Sequence, residues 1–533
     1  MAMHASSTPS IGPACLRLVV LALAAMLGAC GSLPDLPAPK PGKAIALDPH
    51  STLGHMAQIS TPDENLSGFR LLPLGYYSID ARLELARRAE KSLDVQYYYF
   101  SSDITGRTLL RSMRDAAQRG VRVRLLLDDL YTGGNDELFL AFAAHDNVEV
   151  RLFNPFCCAR DRGPTGRFLR SLGEWSRVNH RMHNKLFIAD GAMAVIGGRN
   201  VADEYFLRGP GENFVDVDAF TIGFVVPPLE FLFDRYWNSQ AVLPLGAVAH
   251  SELDPKALRD LFERETAPAA DAMPQTLPPN DILGYGPISD DLRFGRLGLI
   301  WGDARVFADH PDKPFDSRPG SVLAQTSVTY NLFEVIRTAQ EEVVIESPYF
   351  VPGEVSLQML RELRSRKVPV VVLTNSLAST DEPAVFTGYS RHREALLKMG
   401  VDLYELSSSR LQQNKREYLF GKSLGRLHAK VAVIDRRWVF IGSMNLDPRS
   451  ATVNTELGAL VDSPQLAKEM LRIIDIDRLQ SAYRLRLTPA GSCCEWLGDD
   501  GEKETVLHEE PDSTTWMRTK AWLLSPFVPE EQL

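Results

Sequence analysis

His183-Asn184-Lys185-Leu186-Phe187-Ile188-Ala189-Asp190 and His428-Ala429-Lys430-Val431-Ala432-Val433-Ile434-Asp435 are one pattern written twice, 245 residues apart. In each, a His and a Lys two positions apart open an apolar run that ends on Asp. Gly197 and Asn200 follow the first copy and Gly442 and Asn445 the second, at the same offset. A single His or Lys is usually an ordinary core or surface residue. A doubled His-x-Lys-x4-Asp with matched Gly and Asn is far beyond chance. On an alternating strand, residues two apart share a face, so each His projects beside its Lys.

The repeat extends upstream. Ala86–Glu90 ends a helix, Leu93–Phe100 alternates as a strand, Arg107–Arg119 has helical spacing and Val121–Leu127 is a buried strand. Leu332–Gln340, Val343–Phe350, Leu357–Arg366 and Val368–Leu373 follow the same succession. Tyr98-Tyr99-Phe100 answers Pro348-Tyr349-Phe350, 250 residues later. Alternating strands and helices predict α/β layers on a largely parallel, buried sheet, and so long an offset means two similar domains. The expected division is residues 66–245 for the first domain, 326–485 for the second, and 246–325 for a Pro-rich interdomain insertion without chemistry of its own. A tail, 486–533, follows.

The chain has 533 residues, 58 Lys and Arg against 68 Asp and Glu, and 44% hydrophobic residues. That composition excludes disordered, fibrous and polytopic membrane classes, and its net acidity argues against a nucleic-acid coat. Leu18–Leu27 is an apolar run too short to span a bilayer, and it ends in Leu27-Gly28-Ala29-Cys30. The run reads as a signal segment and its end resembles a bacterial lipoprotein cleavage box. Residues 1–29 would then be removed and Cys30 acylated, with Pro-rich residues 30–65 as a tether. Ser32 after that cysteine favours sorting to the outer membrane, on the periplasmic side of the cell envelope. In an exported chain, cross-bridges between Cys157/Cys158 and Cys493/Cys494 would pin the tail near residue 157.

A pseudo-twofold pairing of the domains would bring both His-Lys pairs to one cleft, with Asn200 and Asn445 beside them. Two imidazoles, two ammoniums and two carboxamides suit phosphodiester chemistry without a metal or other cofactor. One imidazole attacks phosphorus, the other protonates the leaving alcohol, and Lys and Asn steady the non-bridging oxygens. Each imidazole needs a carboxylate to fix its tautomer. Glu456 is expected to serve His428, and Asp216, with Asp218 as second choice, to serve His183. Asp190 and Asp435 complete the motif and are expected mainly to shape the turns at the strand ends.

These residues resemble the phospholipase D superfamily, whose signature is this doubled motif, over about residues 66–485. Leu93-Asp94-Val95-Gln96-Tyr97-Tyr98, Arg181-Met182-His183-Asn184-Lys185, Leu373-Thr374-Asn375-Ser376 and Asp447-Pro448-Arg449-Ser450 resemble the bacterial cardiolipin synthases of the class C type. The resemblance implies two phospholipase D-like α-β-α domains around a pseudo-twofold axis with one shared active site. It implies phosphatidyl transfer between phosphatidylethanolamine and phosphatidylglycerol, with His183 as nucleophile and His428 as acid and base. Plain phospholipid hydrolysis uses the same intermediate, and an exported phosphodiesterase or nuclease is the remaining alternative on this fold. No nucleic-acid partner is expected.

Two further expectations concern the approach to lipid. Arg160, Arg162, Arg167, Arg170, Arg177 and Arg181 before the first motif, and Arg410, Lys415, Arg416, Lys422 and Arg426 before the second, suggest a basic rim for an anionic substrate. Near the end of the chain, a helix from Asp512 or Ser513 to about Leu524 carries Trp516, Trp522 and Leu523. It would either pack on the second domain or lie in a membrane interface.

Overall fold

The computed structural model describes residues 39–271, 277–313, 321–413, 424–491, 494–499 and 504–530. Cys30, the signal segment, Lys415, Arg416, Lys422 and Cys493 lie outside the described residues. In chain order the first half forms β1 (Ser67–Leu72), β2 (Ser92–Tyr97), β3 (Arg122–Asp128), β4 (Val148–Phe153), β5 (Lys185–Ala189), β6 (Met193–Gly197), β7 (Glu212–Val215), β8 (Asp218–Gly223) and β9 (Val242–Pro244). The second half forms β10 (Ile300–Ala308), β11 (Val343–Glu346), β12 (Val370–Asn375), β13 (Asp402–Leu406), β14 (Leu424–Leu427), β15 (Val431–Ile434), β16 (Trp438–Gly442), β17 (Leu457–Asp462), β18 (Ala482–Leu487), β19 (Cys494–Asp499) and β20 (Glu504–Leu507).

All but β7 and β14 lie in one sheet, with the order β9-β4-β3-β2-β5-β6-β8-β1-β10-β17-β16-β15-β11-β12-β13-β18-β19-β20. Read outward from the β1–β10 pair, the two halves are the same: β1-β8-β6-β5-β2-β3-β4 answers β10-β17-β16-β15-β11-β12-β13. The sheet is mixed rather than largely parallel. Only β2-β3-β4 and β11-β12-β13 run parallel, each joined through crossover helices. Short connections, as from Ala189 to Met193, force antiparallel pairing, and β1–β8, β2–β5 and β10–β17 pair antiparallel over long separations.

Helices cover both faces. On one, Val226–Trp237 and Pro464–Ser481 lie against strands of both repeats, and Ile188, Phe233, Trp237, Val433, Ile441 and Ile474 share one core. Fully burying each such side chain stabilises the fold by about 1.5–3 kcal/mol. This shared core holds the domains in one orientation. Each repeat keeps its own core on the opposite face.

Three expected boundaries are corrected. The segment 246–325 is not a separate insertion: β10 is the second repeat's counterpart of β1 and pairs with both β1 and β17. The helix Pro255–Asp271 packs on the first domain, where Phe262 stacks on Phe142. The tether does not extend to residue 65. Ala44 N donates to Asp234, and the helix Thr52–Ser60 buries Leu53, Met56 and Ala57 in the first domain's core. The tail is also folded, since β19 and β20 extend the second repeat's sheet beyond β18.

The described residues show no cross-bridge between the two cysteine pairs, and Cys493 lies outside them: Cys157 and Cys158 Sγ are 2.8 Å apart, and Cys494 is buried on β19 in the second domain's core.

Candidate active site

Both motifs enter their strands at the seam between the repeats. β5 begins at Lys185 and β15 at Val431, so His183 and His428 stand in the extended segments just before them. Each segment is strapped to the other domain. Met182 bridges to Thr455, and His183 N donates to Thr455 O at 2.8 Å. On the other side β14 pairs in parallel with β7, and His428 N donates to Val215 O at 2.7 Å. The residue after each strap is a carboxylate: Glu456 follows Thr455, and Asp216 follows Val215.

The orienting carboxylates are therefore exchanged relative to expectation. His183 Nδ1 lies 2.9 Å from Glu456 Oε2, and His428 Nδ1 lies 2.7 Å from Asp216 Oδ2. Each histidine is served by the opposite repeat, because the straps run across the seam. A carboxylate on Nδ1 fixes the tautomer and leaves Nε2 for the cleft. Asp218, the second choice, instead accepts from Ser78 and pairs with Arg82.

Both histidines line one cleft of about 500 Å3, together with Asn200, Asn445, Asp447 and Arg449. Tyr98 stands edge-on to His183 at 4.8 Å and Tyr205 to His428 at 5.0 Å, measured between ring centroids. Lys185 Nζ donates to His183 O at 2.7 Å, and Lys430 Nζ likewise donates to His428 O. Asn200 is held between Tyr99 N and Tyr205 OH, whereas the buried Asn445 Oδ1 has no hydrogen-bond partner among the described residues.

Asp190 and Asp435 lie away from this chemistry, at the turns that end the motif strands. Asp190 accepts from the backbone N–H groups of Glu90, Lys91 and Ser92. Asp435 accepts from those of Gln340, Glu341 and Glu342. Both stand in the left-handed region, with φ 54° and 51°, and tie the turn after the motif strand to the entry of β2 or β11.

Several residues that build the geometry were given no role by the sequence. Ser443 and Ser450 donate to the two carboxylate oxygens of Glu456. Asp309, at the end of β10, accepts from Glu456 N and Val328 N at 2.9 Å and pairs with buried Lys313 at 2.6 Å. Lys313 in turn donates to Ser450 O. The segment expected to lack chemistry thus supports Glu456. Ser443 occupies the repeat position of Gly198, a signal the doubled pattern did contain. A Cβ on Gly198 would come within 2.4 Å of Asp216 Oδ1, so that glycine makes room for the carboxylate.

Burial dominates the electrostatics. It holds both imidazoles well below their ordinary value, and Lys185 and Lys430 reinforce the effect. It also lowers Lys185 to about 7 and Lys430 to about 8, and raises Glu456 and Asp447 to about 7. Burial thus favours the neutral imidazoles, whose Nε2 lone pairs are available. A bound phosphodiester anion would favour the charged forms of both lysines and of one imidazole.

Among the described residues, much of the expected basic rim is instead taken up in ion pairs. Arg160 and Arg167 pair with buried Asp129, Arg181 with Asp128 and Arg177 with Glu174. Arg426 pairs with Glu212 at the cleft. The cleft's outer lining is instead acidic and aromatic, with Glu204, Asp381 and Glu382 near Tyr131 and Tyr349.

Comparison with known proteins agrees with this architecture. The family described as "Cardiolipin synthase, PLD-like domain" matches residues 83–222 and 332–478. "Cardiolipin synthase C" of Escherichia coli is 38% identical over 458 residues, covering 85% of this chain and 93% of that one. An uncharacterized protein of Helicobacter pylori is 32% identical over 499 residues, covering 92% and 94%. Among solved structures, the phosphatidylserine synthase of Haemophilus influenzae shares the fold at TM-score 0.54 and 13% identity, covering 91% of this chain and all of that one. The chain belongs to the cardiolipin synthase family of phospholipase D-like proteins.

Proposed function

We propose that the protein is a phosphatidyltransferase that makes cardiolipin from two phospholipids through a phosphohistidine. The observation that carries this is the pair of imidazoles in one cleft, each with Nδ1 on a carboxylate and Nε2 left to react. His183 Nε2 attacks phosphorus while His428 Nε2–H protonates the departing headgroup oxygen, and the P–O bond to that headgroup breaks. His428 then takes the proton of an incoming glycerol hydroxyl. Its oxygen attacks the phosphohistidine, and the P–N bond breaks to return the His183 lone pair. Lys185, Lys430, Asn200 and Asn445 stabilise the non-bridging oxygens, so the residues themselves supply the charge that a metal would otherwise provide.

The acidic, aromatic outer lining favours phosphatidylethanolamine as donor, since carboxylates and ring faces both attract an ammonium. Phosphatidylglycerol supplies the acceptor hydroxyl. The protein works at the periplasmic face of the cell envelope, held there by acyl chains on Cys30, with the outer membrane as the favoured site.

Incubating the purified protein with vesicles of both lipids should yield cardiolipin and free ethanolamine by mass spectrometry, with and without chelator. Phosphatidic acid as the only lipid product would make it a hydrolase. Activity abolished by chelator and restored by one metal would sink the mechanism. Cleavage of nucleic acid with lipids untouched would favour the nuclease alternative.

A further inference from the structure

A second hollow, of about 450 Å3, opens beside the catalytic cleft and is of opposite character. Its floor is Phe333 on the helix Val328–Arg337, Val351 after β11, and Met444 and Leu446 after β16, all buried. Tyr330 and Val355 form its rim, and Val355 is 59% exposed. Polar groups are sparse along it. The two cavities abut at the segment following β16: Met444 and Leu446 line only the groove, while Asn445 between them and Asp447 beyond line both.

The groove belongs to one half of a pseudo-symmetric molecule. Val351 N donates to Leu446 O, which holds its two walls together. At the matching place in the first repeat Arg199 stands where Met444 does, its guanidinium bonded to Leu72 O and Pro73 O. An apolar groove that abuts the catalytic cleft at Asn445 suits a substrate with a charged phosphate and a hydrocarbon arm.

We infer that this groove seats one acyl chain of the phospholipid whose phosphate lies at His183 and His428. The inference rests on the lipid reading above and deepens it. That the groove and the cleft abut at Asn445 and Asp447 is what selects the occupant. With the phosphate beside Asn445, the glycerol-linked chain of the same molecule leaves the polar cleft along the apolar floor, where burial of each methylene strengthens binding about fourfold.

The test is a series of soluble short-chain phosphatidylethanolamines below their aggregation limit, with the wild type compared to Val355→Asp and Thr452→Trp. Val355 lies in the first turn of the helix Glu354–Ser365, where an added carboxylate is tolerated. Thr452 is an exposed residue of the groove wall. In the wild type, kcat/KM should climb about fourfold per methylene, and both variants should flatten that climb while keeping the rate on the shortest lipid. An unchanged climb in the variants, or an equal fall at every chain length, would overturn the inference. Photolabelling with a diazirine-acyl phospholipid separates it from the functional reading. Label on peptides containing Tyr330, Phe333, Val351 or Val355 supports the groove even without turnover. Turnover with label only elsewhere overturns it.

Discussion

His183 and Glu456 are 273 residues apart in sequence and come from different repeats, yet the imidazole Nδ1 and the carboxylate Oε2 stand 2.9 Å apart. His428 and Asp216 repeat the relation in the opposite direction. Neither repeat alone holds an oriented histidine. The cleft is functional only when the two halves are docked, and the shared core under Val226–Trp237 and Pro464–Ser481 is what docks them.

Glu456→Gln keeps the shape of this contact and removes its charge. It should lower kcat by about two to four orders of magnitude, as loss of an orienting carboxylate does elsewhere, with little change in melting temperature. Steady-state kinetics alongside thermal unfolding check this. Wild-type kcat in the variant would mean that Glu456 does not position His183.

Quenching a single turnover at alkaline pH should recover an acid-labile phosphatidyl adduct on the peptide containing His183. An adduct confined to the His428 peptide would reverse the assignment of nucleophile and acid. His183→Ala and His428→Ala should each reduce the rate by several orders of magnitude, and the double variant little further, because the two act as a unit.

The lysines set an alkaline limit. Burial depresses Lys185 to about 7 and Lys430 to about 8, so raising the pH through that window removes the charges that meet the phosphate. In the free enzyme, kcat/KM should fall as pH rises from about 7 to 9. Stabilisation by tungstate or vanadate, read as a rise in melting temperature, should shrink over the same range. A rate flat to pH 10 would contradict it.

Asp309 and Lys313 form a buried pair that also holds the backbone of Glu456. Asp309→Asn leaves Lys313 buried without its counter-charge, and should cost about 3–5 kcal/mol of stability in denaturant titration. Replacing the two together by Leu and Met should recover most of that loss. Activity should be low in the double variant, since Glu456 N would lack its acceptor.

The helix Thr515–Leu524 is capped by Thr514 rather than by Asp512 or Ser513. It packs through Ala521 and Met517 on the second domain, so the core reading holds for that side. Trp516 and Trp522 remain 69% and 73% exposed on the other. Trp516→Ala with Trp522→Ala should weaken binding to anionic vesicles by tenfold or more, with melting temperature and turnover of soluble lipid unchanged. Undiminished vesicle binding would remove the helix from the membrane contact.

The doubled motif and the repeat upstream of it determined that there are two domains, that their strands alternate with helices, and that His183, Lys185, His428 and Lys430 belong together. Those conclusions follow from spacing, and spacing is local. The apolar period that makes β5 and β15 strands is printed in the residues themselves.

Pairing across the seam is not local, and there the sequence misled. Proximity in the chain suggested Glu456 for His428 and Asp216 for His183, but the straps Met182–Thr455 and β14–β7 cross between repeats and exchange them. The arginines before the first motif looked like a rim because their partners, Asp128 and Asp129, lie at the end of a different strand. Asp309 looked inert because its work is done on a backbone N–H 147 residues away. Charge and hydrogen-bond partners depend on which surfaces fold together, and only the tertiary structure decided that.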